Sequence, residues 1–155
     1  MKRILTGGLV ALSVFASSAV AEESTWSPSV FSLDNGMEVV VVPDHRAPVV
    51  THMVWYKVGA VDEAEGKSGI AHLFEHVMFK ETDDLAPGEF DDIVSRNGGV
   101  SNAFTSWDYT AYFERVAKQY LGTMMALEAE RMTDLIINDD PNGPFISERD
   151  VVKEE

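Results

Sequence analysis

Two histidines and a glutamate lie within five consecutive residues, His72-Leu73-Phe74-Glu75-His76. Residues four apart on a helix face the same side, so His72 and His76 would stand together with Glu75 beside them. Imidazole nitrogen suits zinc, and a catalytic zinc site takes three protein ligands and keeps a fourth position for water. Glu75 would then be placed to remove a proton from zinc-bound water as a general base. The pattern predicts a hydrolytic centre with one Zn²⁺ ion.

The alternative is that two histidines fall four apart by chance on an amphipathic helix. The chain holds four histidines and fourteen glutamates in 155 residues, so roughly 0.01 accidental matches to this pattern are expected. An apolar run follows the motif, and Ser68 precedes it as a candidate helix cap. We therefore expect a helix that is capped by Ser68 and packs on a core.

The residues around the motif carry a family resemblance. With Gly69-Ile70-Ala71 before it and Met78-Phe79-Lys80 after it, the motif resembles that of the pitrilysin-type zinc peptidases, the inverzincins. Their usual Phe-Lys-Gly-Thr run is Phe79-Lys80-Glu81-Thr82 here, which changes the helix exit and leaves the ligands in place. The resemblance implies an α+β fold, mostly antiparallel sheet with helices packed on one face. It also implies a zinc-dependent endopeptidase.

A third ligand cannot be chosen among 26 acidic residues by spacing alone. Glu148 and Glu155 are seven apart and would share a helix face, a pattern that by itself is typical of a solvated surface. The family signature has a glutamate roughly 70 to 80 residues after the motif, and Glu155 lies 79 residues after His76. The resemblance thus implies Glu155 as the third zinc ligand and Glu148 as a supporting carboxylate. Glu154 replaces Glu155 if the helix register is shifted by one.

Val100 to Thr105 and Tyr109 to Phe113 are predicted to form two strands. A plain hairpin with aromatic cross-strand packing is one interpretation. The other is that the first strand is a sheet edge that accepts a peptide substrate as an added strand. The run from Gly98 to Thr105 resembles the family's Gly-Gly-x-x-Asn-Ala-Phe-Thr edge strand, which implies the second interpretation. By the same resemblance, three residues would line the scissile bond: Asn102, Ala103 and Phe104.

Strands dominate the chain before the motif. Asn35-Gly36, between Val30–Asp34 and Met37–Val42, predicts a hairpin with a type I′ turn, because this dipeptide readily takes the two positive φ angles required. A further strand spans Val49 to Val58 and carries His52, which we interpret as a satisfied strand histidine rather than a ligand.

Helices dominate the chain after the motif. A short helix is predicted over Glu89–Arg96, before glycines that can stop it. Ala117 to Leu135 has the period of one long helix, with methionines as core filler and with Glu128 and Arg131 available to water. Ser147 is expected to cap a last helix that continues to the final residue.

Composition limits the chemistry and the partners. The chain is 45% hydrophobic and 25% charged, as in ordinary globular domains. It has no cysteine, so a metal must be held by histidine and carboxylate, and zinc is preferred to manganese or cobalt on ligand type and usual availability. The net charge of −14 argues against nucleic acid and anionic membrane surfaces as partners.

Residues 1–21 are predicted to be a signal peptide. They begin with Met1-Lys2-Arg3, continue with a short apolar run and end with Ala19-Val20-Ala21, a small-x-small cleavage site. The apolar run is too short for a stable membrane span, although an uncleaved anchor is the alternative. We therefore expect an exported protein, periplasmic or secreted, with no stable membrane span after cleavage. Residues 22–155 would form an amino-terminal metallopeptidase domain.

The resemblance also bears on what lies beyond this domain. Pitrilysin-type peptidases have repeated α/β domains in two halves that close on a peptide. This implies a domain truncated at its carboxyl end, with a missing carboxyl-terminal half or a partner subunit completing the cleft, so the fragment alone need not be active. Two alternatives remain: a non-catalytic pitrilysin-like subunit acting as a binding or assembly partner, and a zinc-binding module with a closed fourth coordination position.

Overall fold

The computed structural model describes residues 27–138 and 140–155. The predicted signal peptide, residues 1–21, lies outside the described residues. The chain divides into two compact units, one ending at Asp44 and one from His45 to Glu155. The proposed ligands all lie in the second unit.

The first unit contains an antiparallel hairpin of β1 (Ser29–Ser32) and β2 (Glu38–Val41). The amide of Leu33 donates to the carbonyl of Met37, so three residues form the loop between them. Only Gly36 among these has a positive φ, +87°, and the Asn35 side chain accepts from the Met37 amide. The predicted hairpin is confirmed, but the type I′ turn is wrong: with Leu33 and Met37 paired, one left-handed glycine is enough to close this longer loop.

The second unit is built on a three-stranded antiparallel sheet in the order β3 (Val49–Tyr56), β5 (Thr110–Ala117), β4 (Val100–Thr105). Half-buried residues alternate with exposed ones along β3 and β4, as expected when one sheet face is covered. Central strand β5 starts one residue later and ends four residues later than predicted. Among the described residues, β4 pairs on one side only, with β5.

The helices pack on one face of this sheet, and the α+β architecture is that predicted. They are α1 (Ile70–Val77), α2 (Glu89–Arg96), α3 (Leu121–Thr133) and α4 (Pro144–Glu154). A hydrophobic core lies between α2, α3 and β5, and its fully buried members include Phe90, Val94, Val116 and Met124. This core fixes the sheet against α3, while α1 packs against α4 and β4.

Helix α3 corrects the sequence interpretation most. The predicted long helix begins four residues too early, because Ala117 ends β5 and a 3₁₀ turn over Lys118–Tyr120 precedes the helix. Glu128 and Arg131, predicted to face water, are 2% and 1% exposed, whereas Met125 is 53% exposed. The helical period predicts that these polar residues face solvent. In the structure Arg131 instead pairs with Glu114 and Glu128 inside the domain.

Helix α4 begins three residues before Ser147, with Gly143 as its capping residue and Pro144 in its first turn. The predicted Ser147 cap is therefore wrong; proline, whose fixed φ suits the first helical position, starts the helix instead. Within residues 27–138 and 140–155, no helix has the length and apolar character needed to cross a membrane.

Candidate metal centre

The motif helix α1 is held at its amino end by Glu63, which lies in the loop before the helix. The Glu63 carboxylate accepts hydrogen bonds from the amides of Gly69 (3.0 Å) and Ala71 (2.9 Å). These bonds, that from Ala71 first, lower the pKa of Glu63, as expected for a carboxylate at a helix amino terminus. Ser68 provides no side-chain cap to the helix, so that prediction is wrong: Gly69 takes the capping position at φ +91°.

Three side chains converge at the other end of the motif. The Nε2 atoms of His72 and His76 lie 3.2 Å apart, with the rings edge to face. The Oε2 atom of Glu155 lies 3.3 Å from the first of these nitrogens and 3.5 Å from the second. Side chains from one turn of α1 and from the residue that follows α4 thus form a nearly equilateral triangle of potential ligand atoms.

The triangle can be tested against the requirements of zinc. Tetrahedral zinc with bonds of about 2.0–2.1 Å keeps its ligand atoms about 3.3–3.4 Å apart. The three observed separations, 3.2, 3.3 and 3.5 Å, bracket that value. The donor set of two imidazoles and one carboxylate also suits zinc. The exposed fractions of the His72 and Glu155 side chains are 38% and 50%, so the described residues leave this side of the triangle open to solvent.

His76 is oriented by a carboxylate on α4 that contacts Nδ1, the ring nitrogen outside the triangle. Its Nδ1 lies 3.1 Å from Oε2 of Glu148, and the other oxygen of Glu148 lies 2.7 Å from Nζ of Lys80. Burial alone would raise the pKa of Glu148, but the hydrogen bonds from Lys80 and His76 hold it below its ordinary value. With Nδ1–H donating to an ionised carboxylate, Nε2 of His76 keeps its lone pair for the triangle.

Glu75 reaches across to the sheet. Its Oε2 atom accepts a 2.5 Å hydrogen bond from the Thr105 hydroxyl, at the end of β4. Among the described residues its Oε1 atom accepts no hydrogen bond. Glu75 is next to His76 on α1, but its carboxylate is hydrogen-bonded to the sheet and is not one of the three grouped ligands.

The predicted substrate strand is the outer strand of the sheet. Ala103 and Thr105 are half-buried on the side of α1, and the intervening Phe104 projects to the opposite face, where its ring packs against Trp55. The Asn102 side chain accepts a 2.9 Å hydrogen bond from the Ala103 amide. Aromatic cross-strand packing and an outer edge position therefore occur together, and any contact of Phe104 with a peptide at this edge would be through its main chain.

A second group of potential ligands lies in the interior: His52, Glu114 and Glu128. Its place at the centre is taken by Arg131, which donates to both carboxylates and is 1% exposed. The guanidinium also stacks at 4.4–5.1 Å from the ring centroids of three aromatic residues. The cationic role in this group is already filled by the protein, which makes it a structural network.

The pKa values of the two carboxyl groups in this network shift in opposite directions. Burial, and then the hydrogen bond with Glu114, raise the pKa of Glu128 to about 7. Burial would also raise the pKa of Glu114, but hydrogen bonds from His52 and Glu128 and the charge of Arg131 hold it below its ordinary value. His52, bonded to Glu114 at 3.2 Å, is the satisfied strand histidine that was predicted.

Contacts made by four residues were missed from the sequence: those of Glu63, Lys80 and Thr105 around the motif helix and those of Arg131 in the interior network. Lys80 had no usable signal, because it lies three residues beyond the end of α1 and pairs with Glu148 on α4. Thr105 had none, since its contact with Glu75 depends on how the sheet packs against α1. The same holds for the contact of Arg131 with Glu114 on β5, whereas its pairing with Glu128, three residues before it on α3, is local and could have been read from helical spacing.

Comparison with known proteins gives a family match. The family model described as Insulinase (Peptidase family M16) matches residues 38–142. That range includes all of α1 and the β4–β5 hairpin and ends before Glu148 and Glu155.

Similar proteins and structures carry related descriptions. The chain is 43% identical over its whole length to the zinc protease PqqE of Helicobacter pylori, and 30% identical over 77% of its length to an uncharacterized zinc protease of Streptomyces coelicolor. The crystal structure of a protease from Helicobacter pylori superposes with a TM-score of 0.77 at 46% identity, covering 83% of this chain and 30% of that one. The first half of the periplasmic protease PqqL of Escherichia coli gives 0.72 at 25% identity, covering 82% and 28%. The chain spans 34% and 24% of the length of the two curated relatives.

Proposed function

We propose that this chain, which belongs to peptidase family M16, holds the zinc centre of an endopeptidase that hydrolyses peptide bonds. The observation that carries the proposal is the triangle of His72, His76 and Glu155, whose three separations fit tetrahedral zinc. The names of the relatives, two of them zinc proteases, agree with this assignment. Glu155 rests on geometry and on the resemblance, because the family match ends before it.

Glu75 and Glu148 would have different roles in the reaction. When bound, zinc supplies Lewis-acid activation of water and of a peptide carbonyl. Glu75 accepts the proton of the attacking water on Oε1, which has no hydrogen-bond partner among residues 27–138 and 140–155, and returns a proton to the leaving amine as a general acid. Glu148 keeps Nδ1 of His76 protonated and fixes the ring orientation, as hydrogen-bonded carboxylates do for other metal-ligating histidines.

The substrate would lie along the free edge of β4 as an added strand, bonded through the main chain of Asn102, Ala103 and Phe104. This strand ends at Thr105, which contacts Glu75, so an added peptide would run past the proposed base. Ala103 lies on the face of α1 and is half-buried there. A carboxyl-terminal half or a partner subunit would close the other side of the cleft, since the chain spans only about a third of the Helicobacter relative.

The exported location remains part of the proposal. It is supported by the leader-like residues 1–21 and by the structural similarity to PqqL of Escherichia coli, a periplasmic protease. The proposed substrates are accordingly peptides outside the cytoplasm.

The test is peptide hydrolysis by the complete gene product. Wild-type protein should cleave a quenched fluorogenic peptide, lose activity with a chelator and regain it with zinc. Glu75→Gln should keep zinc but lose a factor of about 10² to 10⁴ in kcat, whereas Glu65→Gln, an exposed matched control, should be unaffected. Substantial turnover by Glu75→Gln would refute the role of Glu75, and zinc binding without any cleavage by the wild type would identify a non-catalytic subunit.

A further inference from the structure

We infer that Thr105 is the positioning residue for Glu75: its hydroxyl holds one carboxylate oxygen so that the other faces the attacking water. This inference deepens the proposed function and rests on it. It concerns a residue at the junction of the motif helix and the outer strand that is neither a proposed ligand nor the proposed base.

The first observation is the contact itself. Oγ1 of Thr105 donates to Oε2 of Glu75 at 2.5 Å, at the short end of the range for a hydroxyl and a carboxylate. Both residues are half-buried, so water competes less well for this bond than at an exposed site. Because Oε1 accepts no hydrogen bond among the described residues, one oxygen is anchored and one remains available.

The second observation is that Thr105 is itself rigidly placed. It ends β4, pairs directly with Thr110 on the central strand, and projects to the side of α1. Thr110 is 5% exposed and donates to the carbonyl of Val58, which secures this end of the sheet. The hydroxyl that holds Glu75 is therefore part of the framework rather than of a surface loop.

The Glu75 carboxylate needs an anchor because its position determines whether it can act as a base. A glutamate has three rotatable side-chain bonds, and a general base must lie within about 2.6–3.2 Å of the proton that it accepts. A misplacement of about 1 Å can cost a factor of 10² in rate. The helix fixes only the Cα and Cβ atoms of Glu75. The bond from Thr105 fixes the carboxylate, where the chemistry would occur.

Thr105→Val is the decisive variant, because valine has nearly the shape of threonine, favours strands and lacks the hydroxyl. We expect kcat to fall about 10- to 100-fold while KM and zinc content change less than about twofold. Thr105→Ser, which restores the hydroxyl, should recover most of kcat. In the Glu75→Gln background, Thr105→Val should cause no further loss, since its effect acts through that carboxylate.

A readout independent of activity comes from crystal structures of the wild type and of Thr105→Val. The Glu75 carboxylate should occupy one orientation in the wild type and several in the variant. Wild-type kcat and a single Glu75 orientation in Thr105→Val would overturn the inference, as would an equal loss in the valine and serine variants, which would indicate a packing role. If Glu75→Gln proves active, the proposed role of Glu75 as the base fails, and the Glu75 orientations in the two crystal structures still decide whether Thr105 positions it.

Discussion

Replacing Lys80 with methionine should weaken zinc binding, although Lys80 touches none of the three proposed ligands. Its Nζ lies 2.7 Å from one oxygen of Glu148, whose other oxygen holds His76. The side chains of Lys80 and Glu148 are only 27% and 15% exposed, so solvent does not replace the lost cation fully. Without the Lys80 charge, burial raises the pKa of Glu148. The hydrogen bond by which the ionised Glu148 carboxylate orients His76 is then weakened.

The expected loss of zinc affinity depends on how many contacts separate Lys80 from the metal. Loss of a group that directly supports a metal ligand costs about 10- to 100-fold in affinity. Lys80 is one contact further away, so its loss belongs at the lower end, about tenfold or about 1.4 kcal/mol. Methionine keeps the unbranched, flexible shape of the lysine stem and removes the terminal ammonium with its charge and hydrogen bonds.

The assay is competition for zinc with a chromophoric chelator, with Lys153→Met as the matched control. Lys153 also lies near Glu155 in sequence, but its side chain is 62% exposed and pairs with Asp150. We expect wild-type affinity in the control, because an exposed pair contributes little. Unchanged affinity in Lys80→Met would refute the reasoning, and equal weakening in both variants would mean that net charge alone matters.

Three further predictions concern stability, each measured by urea unfolding of the metal-free chain. Arg131→Met should cost about 3–5 kcal/mol, because it leaves two buried carboxylates without their cation; a cost below about 1 kcal/mol would contradict the network. The pKa of Glu128, about 7 against an ordinary 4.5, means that the folded state retains a proton that the unfolded state loses. The free energy of unfolding should therefore fall by up to about 3 kcal/mol as pH rises from 4.5 to 7, a slope that Glu128→Gln removes and Glu65→Gln keeps. Gly99→Ala should destabilise by about 1–3 kcal/mol, since its Cβ would lie 2.4 Å from a buried valine methyl, whereas Gly122→Ala, with open space in a helix, should stabilise by up to about 1 kcal/mol.

The parts of the centre that sequence could predict are those set by local geometry. His72 and His76 are one helical turn apart whatever the rest of the chain does, so their meeting followed from the motif. Glu155 is different, because it reaches the histidines only through the packing of α4 on α1. Helical spacing could place Glu148 and Glu155 on one face but could not say which surface that face meets.

The errors share a physical cause. Glu128 and Arg131 were assigned to water because isolated charges are expensive to bury, and the one-dimensional pattern does not reveal that Glu114 and three aromatic rings surround them. The cap from Glu63 was missed for a related reason: Glu63 precedes the helix by several residues and bonds the amides of Gly69 and Ala71, which the helical period does not indicate. Side chains that satisfy one another at long sequence separation are invisible to periodicity.

The most direct test of the central claim is an anomalous difference map, collected at the zinc absorption edge, from crystals of the zinc-loaded protein. The account predicts one peak bonded to Nε2 of His72, Nε2 of His76 and a carboxylate oxygen of Glu155, at about 2.0–2.1 Å from each. A peak that lacks Glu155, or one that lies among His52, Glu114 and Glu128, would contradict it.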